Sequence, residues 1–245
     1  MPMKKAEWFA EWFDTSYYHI LYQHRNDVEA NAFIERLVAH LSLKPGSKVL
    51  DLACGKGRHA VMFHKLGMDV LGVDLSSNSI QTAKENSCQG LAFDVHDMRE
   101  VIPNKKFDLI ANLFTSFGYF DTQSDNEKMI ASIAAMLNEN GELIIDFMNA
   151  IKVIEHLVPS EEKMIDGILF SITRRYDGQH IYKDIRFEDK GVKHHYTERV
   201  QALKQEDFLR FLAKDFEILS TFGNFQLDAF DPKNSDRLIL FARRK

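Results

Sequence analysis

The alternation of short apolar runs with helical patterns after residue 47 constrains the fold of this chain more than any other feature. Parallel strands need crossover connections, which helices usually supply, so this rhythm predicts an α/β fold: a doubly wound, mostly parallel sheet with helices on both faces. Ligands of such sheets bind outside the carboxyl ends of the strands. Strands are expected at 48–52, 69–74, 90–93, 107–112 and 142–147, with helices at 57–66, 77–86 and 124–138.

The segments at the two ends of the chain extend this core. Aromatic residues recur every four positions between residues 7 and 25, which places them on one helical face, and 28–41 has the pattern of a second amphipathic helix. Near the other end, a helix is predicted at 204–213 and strands at 216–222 and 236–243. With these last two strands the sheet is expected to have seven.

The rhythm breaks between the fifth strand and the last helix. Residues 164–173, 179–188 and 192–202 are rich in β-formers and are separated by glycine-containing turns, which predicts an antiparallel meander. We expect this meander to form a flap over the active site. The predicted division is an N-terminal helical lid at 1–46, a core at 47–158 and 203–245, and the inserted flap at 159–202.

Composition and charge narrow the functional class. The 245 residues include 31 basic and 36 acidic ones, and the formal charge of −5 favours a small-molecule partner over a nucleic acid. The sequence contains no run of 18 apolar residues and no signal-peptide pattern, so a cytoplasmic protein with no membrane partner is expected. Cys54 and Cys88 fit neither a metal-binding spacing nor a disulfide framework, and we predict free thiols and no metal.

The stretch VLDLACGKGRHA, residues 49–60, leads from a strand through a glycine-containing loop into a helix. Gly55 and Gly57 let the backbone turn sharply and approach a ligand, because no Cβ atom stands in the way, and the N–H groups of the following helix point at that ligand. The spacing G-x-G-x-x-A also fits the fingerprint of dinucleotide-binding sites. The loop by itself therefore does not choose between a dinucleotide and a sulfonium cofactor.

Acidic residues near this loop separate the two cofactors. Asp74 ends the next strand 19 residues after Gly55, where a carboxylate can accept hydrogen bonds from both hydroxyls of a ribose. Asp51 lies just before the loop, where its charge disfavours a pyrophosphate and favours a ligand with an ammonium and a sulfonium. Asp97 and Met98 follow the third strand and suit an adenine, whose amine donates to the carboxylate while the ring packs on the thioether.

These motifs resemble those of the class I S-adenosylmethionine-dependent methyltransferases over roughly residues 47–147. VLDLACGKG resembles the glycine-rich first motif, LGVDLS the ribose-binding motif, DVHDM the adenine motif, and FDLIANLFTSFGYF the fourth strand with its loop. NLFTSFGYF and SDRLILFARRK are similar to segments of small-molecule members, including sugar N-methyltransferases. The resemblance implies a Rossmann-like fold, S-adenosylmethionine as cofactor with S-adenosylhomocysteine as product, and methylation of a small-molecule acceptor at nitrogen or oxygen.

The same resemblance implies a set of cofactor-binding residues. Methyl transfer is an in-line displacement, so these residues mainly align the reactants and exclude water, and no catalytic base is assigned. The implied contacts are Tyr17, Tyr22 and Arg25 in the N-terminal lid; Asp51, Ala53, Gly55 and Gly57 along the methionine part; Asp74 at the ribose; Leu75, Asp97 and Met98 at the adenine; and Leu113 and Phe114 near the sulfonium.

Five further residues are candidates for contact with the acceptor. The ring faces of Phe117 and Tyr119 favour a cation such as the sulfonium, although buried aromatic residues more often only pack in a core. Asp146 and Asn149 lie at the carboxyl end of the fifth strand, where a helix cap is the simpler interpretation. His195 lies in the flap next to another histidine, but adjacent strand residues point to opposite faces, which argues against a shared metal.

Four alternative functions remain open at this level. A nicotinamide-dependent oxidoreductase shares the glycine spacing and Asp74, but Asp51 and the pair Asp97 and Met98 count against it. A nucleic acid methyltransferase is disfavoured by the net charge. It is also disfavoured because the region at the end of the fourth strand reads NLFTSF and not an Asn-Pro-Pro-Tyr-type sequence. A protein methyltransferase and a non-catalytic S-adenosylmethionine-binding protein share the same cofactor motifs.

Overall fold

The computed structural model describes residues 8–23 and 27–245. No helix within these residues is long and apolar enough to cross a membrane. The helices are α1 (Trp8–Phe13), α2 (Ser16–Leu21), α3 (Asp27–Leu41), α4 (Arg58–Lys65), α5 (Ser77–Ala83), α6 (Gln123–Met136), α7 (Ala150–Glu155) and α8 (Gln205–Leu212), with a 3₁₀ turn at Lys84–Asn86. The strands are β1 (Lys48–Leu52), β2 (Asp69–Asp74), β3 (Leu91–Val95), β4 (Phe107–Asn112), β5 (Leu137–Met148), β6 (Ser160–Ile165), β7 (Ile168–Tyr176), β8 (His180–Asp189), β9 (Val192–Gln201), β10 (Phe216–Phe222) and β11 (Arg237–Arg244).

Seven strands form the main sheet in the order β10-β11-β5-β4-β1-β2-β3. β1 to β5 pair in parallel, whereas β11 runs antiparallel to both of its neighbours. The predicted α/β class with a mostly parallel, seven-stranded sheet is therefore confirmed. The fifth strand is longer than the predicted 142–147, since Leu137 already pairs with Phe107.

Helices cover the main sheet on both faces. On one face α3, α4 and α5 pack through buried residues such as Phe33, Phe63 and Ile80. On the other face α6 and α8 pack through Met129 and Phe208. The central strand β1 is buried along nearly its whole length, which explains its almost continuous apolar sequence. This arrangement leaves the carboxyl ends of the parallel strands as the open edge.

A separate antiparallel sheet of four strands, β6-β7-β8-β9, follows the core strands. The sequence predicted three segments here, and the expectation of one continuous strand at 164–173 is wrong. Asp166 and Gly167, with φ of 49° and 80°, form a two-residue turn between β6 and β7. An Asp-Gly pair suits such a hairpin turn, because both central residues need positive φ.

The aromatic N-terminal segment forms two short helices instead of one. Thr15 separates them, and its hydroxyl accepts the N–H of Tyr18 at the start of α2. Trp12 of α1 is buried and stacks on Tyr196 of β9, with ring centroids 4.4 Å apart. Leu21 of α2 belongs to the same apolar cluster. The N-terminal helices are therefore packed against the smaller sheet.

Candidate active site

A cavity of about 390 Å³ opens at the carboxyl edge of the parallel strands. This is the edge at which open α/β sheets bind ligands, and the volume lies within the range of small-molecule sites. The loops after β1, β2, β3 and β4 contribute to its wall together with α1 and α2. The sequence-predicted residues on the wall are Tyr22, Ala53, Gly55, Asp74, Leu75, Asp97, Met98, Leu113, Phe114 and Tyr119.

The two glycines of the loop after β1 have different roles. Both have positive φ, 55° for Gly55 and 81° for Gly57. A Cβ atom added to Gly55 would have no other atom within 4 Å, whereas one added to Gly57 would lie 2.4 Å from the ring of Phe93. Gly55 thus leaves open space on the cavity wall, which fits a ligand that approaches the backbone. Gly57 does not line the cavity, and its missing side chain makes room for packing.

Asp74, at the end of β2, connects this loop to the next one. Its carboxylate accepts the N–H of Gly55 at 2.8 Å and the N–H of Ser76 at 2.8 Å. Burial raises the pKa of Asp74, and the two backbone hydrogen bonds counteract this shift. Each carboxylate oxygen has a second lone pair, so the group can also accept ribose hydroxyls from the cavity.

Asp51 lies behind the glycine loop and not on the cavity wall. The residue is 1% exposed, and its carboxylate accepts the N–H of Ala60 in the first turn of α4 at 3.0 Å. Burial raises its pKa to about 7. Asp51 is therefore absent from the cavity wall, and its contact with the methionine part of the cofactor stays a prediction.

Asp97 and Met98 line the cavity beyond β3, beside Leu75. The Asp97 carboxylate accepts hydrogen bonds from the guanidinium of Arg99, Nη2 to Oδ2 at 2.6 Å and Nε to Oδ1 at 3.0 Å, and from its backbone N–H at 2.9 Å. Burial works against ionisation of Asp97, but the hydrogen bonds and charge of Arg99 prevail and lower its pKa. The sequence analysis did not single out Arg99, whose guanidinium also lies 4.8 Å from the ring centroid of Phe120.

A turn after β4 forms another part of the wall. Phe114 and Thr115 have φ of 57° and 62°, which is unusual for residues other than glycine. The ring of Phe114 stacks on His59 with centroids 4.7 Å apart. Arg58 also lies close, with its guanidinium carbon 4.5 Å from the Phe114 ring centroid. Four further cavity residues were not predicted from sequence: Arg58 and His59 at the start of α4, and Thr115 and Ser116 in this turn.

The aromatic wall comes from α1, α2 and the loop before α6. Phe13 lies 4.8 Å from Tyr18 and 5.2 Å from Tyr119 between ring centroids, and Tyr18 lies 4.9 Å from Tyr22. Ring faces attract cations and exclude water. Of this wall, Tyr22 and Tyr119 were named as site residues from sequence, whereas Phe13 and Tyr18 were not. His19 and Gln23 also line the cavity and were not predicted.

Contacts from the smaller sheet hold this wall in place. The hydroxyl of Tyr22 donates to Glu198 of β9 at 2.7 Å, and the indole N–H of Trp12 donates to the same carboxylate at 2.7 Å. Lys183 of β8 donates to the Tyr22 hydroxyl, and its Nζ lies 3.8 Å from Glu198. Burial lowers the pKa of Lys183, and the charge of Glu198 counteracts this shift.

A second contact connects the N-terminal helices to the core beside Asp74. Asp14, between α1 and α2, accepts the hydroxyl of Ser76 at 2.6 Å and the N–H of Asn78 at 3.0 Å. Both donors lie at the start of α5, where a negative charge also interacts favourably with the helix dipole. The loop that follows Asp74 is thus held from the side of the N-terminal segment.

Four of the predicted site residues do not line the cavity, and their contacts with cofactor or acceptor stay predictions. Phe117 is buried and packs on Phe208, because the turn after β4 directs it into the core. Asn149 donates to backbone carbonyl groups of the loop before β11. His195 lies on β9 with Nε2 3.1 Å from Asp184, and Tyr17 donates to Asp189.

The two remaining predictions concern Arg25 and Asp146. Arg25 lies outside the described residues. Asp146 is fully buried and does not line the cavity. Its carboxylate accepts Nε–H of Arg237 at 2.7 Å and the N–H of Phe114 at 2.9 Å, so in this structure it contacts the cavity wall from behind.

Comparison with known proteins gives consistent results. The family model described as a methyltransferase domain matches residues 43–215. Glycine/sarcosine N-methyltransferase of Aphanothece halophytica is 26% identical over 235 residues, 90% of this chain and 83% of that protein. The putative methyltransferase YqeM of Bacillus subtilis (strain 168) is 31% identical over 117 residues, 46% of this chain and 47% of YqeM, so the matched region spans about half of that relative.

The fold is also similar to that of solved structures. S-adenosylmethionine-bound CalS10, an amino pentose methyltransferase from Micromonospora echinaspora, has a TM-score of 0.72 and 18% sequence identity, and the match covers 94% of this chain and 98% of CalS10. At this level of identity the similarity concerns the fold.

Proposed function

Since this chain belongs to the methyltransferase domain family and its cofactor is S-adenosylmethionine, we propose that it methylates an amino group of a small molecule. The observation that carries this proposal is the aromatic wall of Phe13, Tyr18, Tyr22 and Tyr119 beside the glycine loop. It encloses the open edge of the sheet where a methyl acceptor must approach. Before a polymeric acceptor could bind, α1 and α2 would have to move off the cavity.

The described residues fit the cofactor. Asp74 would accept the ribose hydroxyls, and Asp97 with Met98 would contact the adenine. The open space at Gly55 would take the methionine part, with Leu113 and Phe114 close to the sulfonium. When bound, S-adenosylmethionine supplies a methyl group activated by the positive charge on sulfur. The remaining work of the protein is to bind, orient and exclude water.

The aromatic wall suits an acceptor amine for two reasons. Its ring faces stabilise a positive charge, which is present on a substrate ammonium and on the methylated product. An amine must also lose a proton before it can react, and the side chains of His19 and His59 line the same cavity. The protein then has to hold the nitrogen about 3 Å from the methyl carbon in line with the bond that breaks.

The proposed domain division follows from the same contacts. We infer that residues 1–46 act as a lid and 159–202 as a flap on a core formed by 47–158 and 203–245. The Glu198 and Lys183 contacts to Tyr22 support this division, because they join the lid to the flap at the cavity wall. The names of the relatives, which include a glycine/sarcosine N-methyltransferase and an amino pentose methyltransferase, support nitrogen as the methylated atom.

The experiment is a measurement of S-adenosylhomocysteine formation with a panel of acceptors. The panel contains glycine, sarcosine, a nucleotide-linked amino sugar, a phenol, a short RNA and a small ribosomal protein. We expect turnover with one or more small amines and none with the RNA or the protein. Turnover with only the phenol or only a polymer would contradict the proposal, as would cofactor binding without turnover on any small amine.

A further inference from the structure

The turn at residues 113–116 has a backbone that its own side chains do not favour. Phe114 and Thr115 are consecutive residues with positive φ, and neither is a glycine. Both residues line the cavity. A left-handed conformation at two such residues persists only where the surrounding structure holds it, and such strain is concentrated at functional sites.

Asp146 of β5 and Arg237 of β11 hold this turn. Asp146 accepts the N–H of Phe114 through its carboxylate at 2.9 Å and the N–H of Thr115 through its backbone carbonyl at 3.0 Å. Arg237 donates Nε–H to the other carboxylate oxygen at 2.7 Å and an Nη2 hydrogen to the Thr115 hydroxyl at 3.0 Å. Both backbone donors of the strained pair are therefore bound by one fully buried residue.

The position of the turn in the sheet assigns it to the acceptor half of the cavity. The residues expected at the ribose and adenine, Asp74 and Asp97, follow β2 and β3, on one side of the central strand β1. The turn follows β4, on the other side of β1. Displacement of the turn therefore changes the part of the wall that is remote from the adenosine contacts.

We propose that Asp146 and Arg237 are positioning residues that determine how the acceptor is held, because they set the orientation of Phe114 and Thr115 in the cavity wall. This inference rests on the proposed function. Asp146→Asn keeps one oxygen for the N–H of Phe114 but directs an amide NH₂ group at the guanidinium. Arg237→Lys keeps the charge but lacks the second arm that reaches Thr115.

The chain offers a matched control on the same two strands. Arg243 of β11 donates to Glu142 of β5 at 2.9 Å, so this ion pair also joins β5 to β11, but at the end away from the cavity. Glu142→Gln removes it without a change near the turn. The variants Asp146→Asn and Arg237→Lys are compared with Glu142→Gln and the wild type.

Three measurements test the proposal. For the amine acceptor found in the panel, we expect kcat/KM to fall at least tenfold in both positioning variants and less than twofold in the control. The Kd of S-adenosylhomocysteine, measured by calorimetry, should change less than kcat/KM in both positioning variants, because the contacts at Asp74 and Asp97 are untouched although Phe114 lies near the sulfur. In the control it should stay within threefold of the wild type. Hydrogen exchange of the peptide that covers residues 113–117 should be faster in Asp146→Asn than in Glu142→Gln.

Several outcomes would overturn the proposal. One is a kcat/KM in the positioning variants equal to that of the control; another is a parallel loss of S-adenosylhomocysteine binding, which would indicate general damage. If Asp146→Asn does not fold, Thr115→Ser and Thr115→Val are compared in its place, because only serine keeps the hydroxyl that Arg237 binds. Equal kcat/KM of these two Thr115 variants would count against the inference. A wild-type protein inactive on every amine would overturn the proposed function and the acceptor role together. If hydrogen exchange at residues 113–117 were the same in Asp146→Asn and Glu142→Gln, the claim that Asp146 holds the turn would be refuted.

Discussion

Replacement of Asp74 by alanine tests the cofactor site most directly. The carboxylate accepts the N–H groups of Gly55 and Ser76, and in the proposed complex it also accepts the ribose hydroxyls. Asp74→Ala removes all of these acceptors at once. Loss of the hydrogen bonds to Gly55 and Ser76 loosens the glycine loop. Loss of the hydrogen bonds to the ribose removes contacts that form only when the cofactor is bound.

The expected loss of affinity follows from the number of hydrogen bonds. A hydrogen bond to a charged acceptor contributes about 1.5 to 3 kcal/mol, so two ribose contacts contribute about 3 kcal/mol or more. Because about 1.4 kcal/mol corresponds to a factor of ten, the Kd of S-adenosylhomocysteine should rise at least roughly 100-fold. The effect on folding should be smaller, since burial disfavours the ionised Asp74 and its removal offsets the two lost backbone contacts.

Calorimetric titration with S-adenosylhomocysteine measures this change, and thermal unfolding checks that the variant is folded. Asp94 is a suitable control residue because it lies exposed on the neighbouring strand β3, where its carboxylate accepts the N–H of Val95. Asp94→Ala should leave the Kd unchanged.

A folded Asp74→Ala protein whose Kd lies within threefold of the wild type would refute the ribose role. In that case the two backbone hydrogen bonds would be the whole function of Asp74, and the residue would only shape the loop. A loss of affinity of the same size in Asp94→Ala would point instead to an effect of net charge on the site.

Three further predictions concern the interior of the protein. Burial raises the pKa of Asp51 to about 7, so between about pH 4 and 7 the folded chain holds a proton that the unfolded chain has lost. The free energy of unfolding should therefore fall by about 4 kcal/mol as pH rises through this window. Asp51→Asn should abolish this dependence in thermal unfolding. Gly57→Ala should lower the melting temperature, because its added methyl group would overlap the ring of Phe93. Gly55→Ala should mainly weaken S-adenosylhomocysteine binding in calorimetry. If Gly55→Ala lowered the melting temperature more and Gly57→Ala weakened binding more, the roles assigned to the two glycines would be contradicted. Glu198→Ala leaves the partly buried Lys183 ammonium without its carboxylate and should lower the free energy of unfolding in urea by up to about 3 kcal/mol. The double change Glu198→Leu with Lys183→Met should cost less, and equal losses would argue against the ion pair.

The main sheet was predictable because its signals are local. Each core strand is a short apolar run beside a helical pattern, so hydrophobic periodicity locates it within a few residues. The division between β6 and β7 was missed although Asp166 and Gly167 form a recognisable turn pair. The apolar residues on both sides of that pair have the pattern of one continuous strand, but both residues of the pair adopt positive φ and the chain reverses there.

The cofactor half of the site was also accessible from sequence. Asp74 ends a predicted strand, Asp97 and Met98 come a few residues after the next one, and all three line the cavity. The acceptor half was accessible only in part, since Tyr119 was a candidate from sequence and lines the cavity. Asp146 lies near the carboxyl end of a core strand, where a substrate-binding residue is plausible from sequence, yet its carboxylate is directed at the turn that holds Phe114.

The sequence by itself determined the sheet, the glycine loop and the acidic residues of the cofactor motifs, because each depends on residues close together in the chain. Only the tertiary structure decided which side chains face the cavity and which support the wall from behind. Asp51 and Asp74 stand at the ends of neighbouring parallel strands, yet one is covered by the loop and the other is open to the cavity. The aromatic wall joins α1 and α2 to β8 and β9 across more than 150 residues of sequence, as in the contact of Trp12 with Glu198, 186 positions apart. Such contacts form when the chain buries its apolar surface, and no local sequence pattern predicts them.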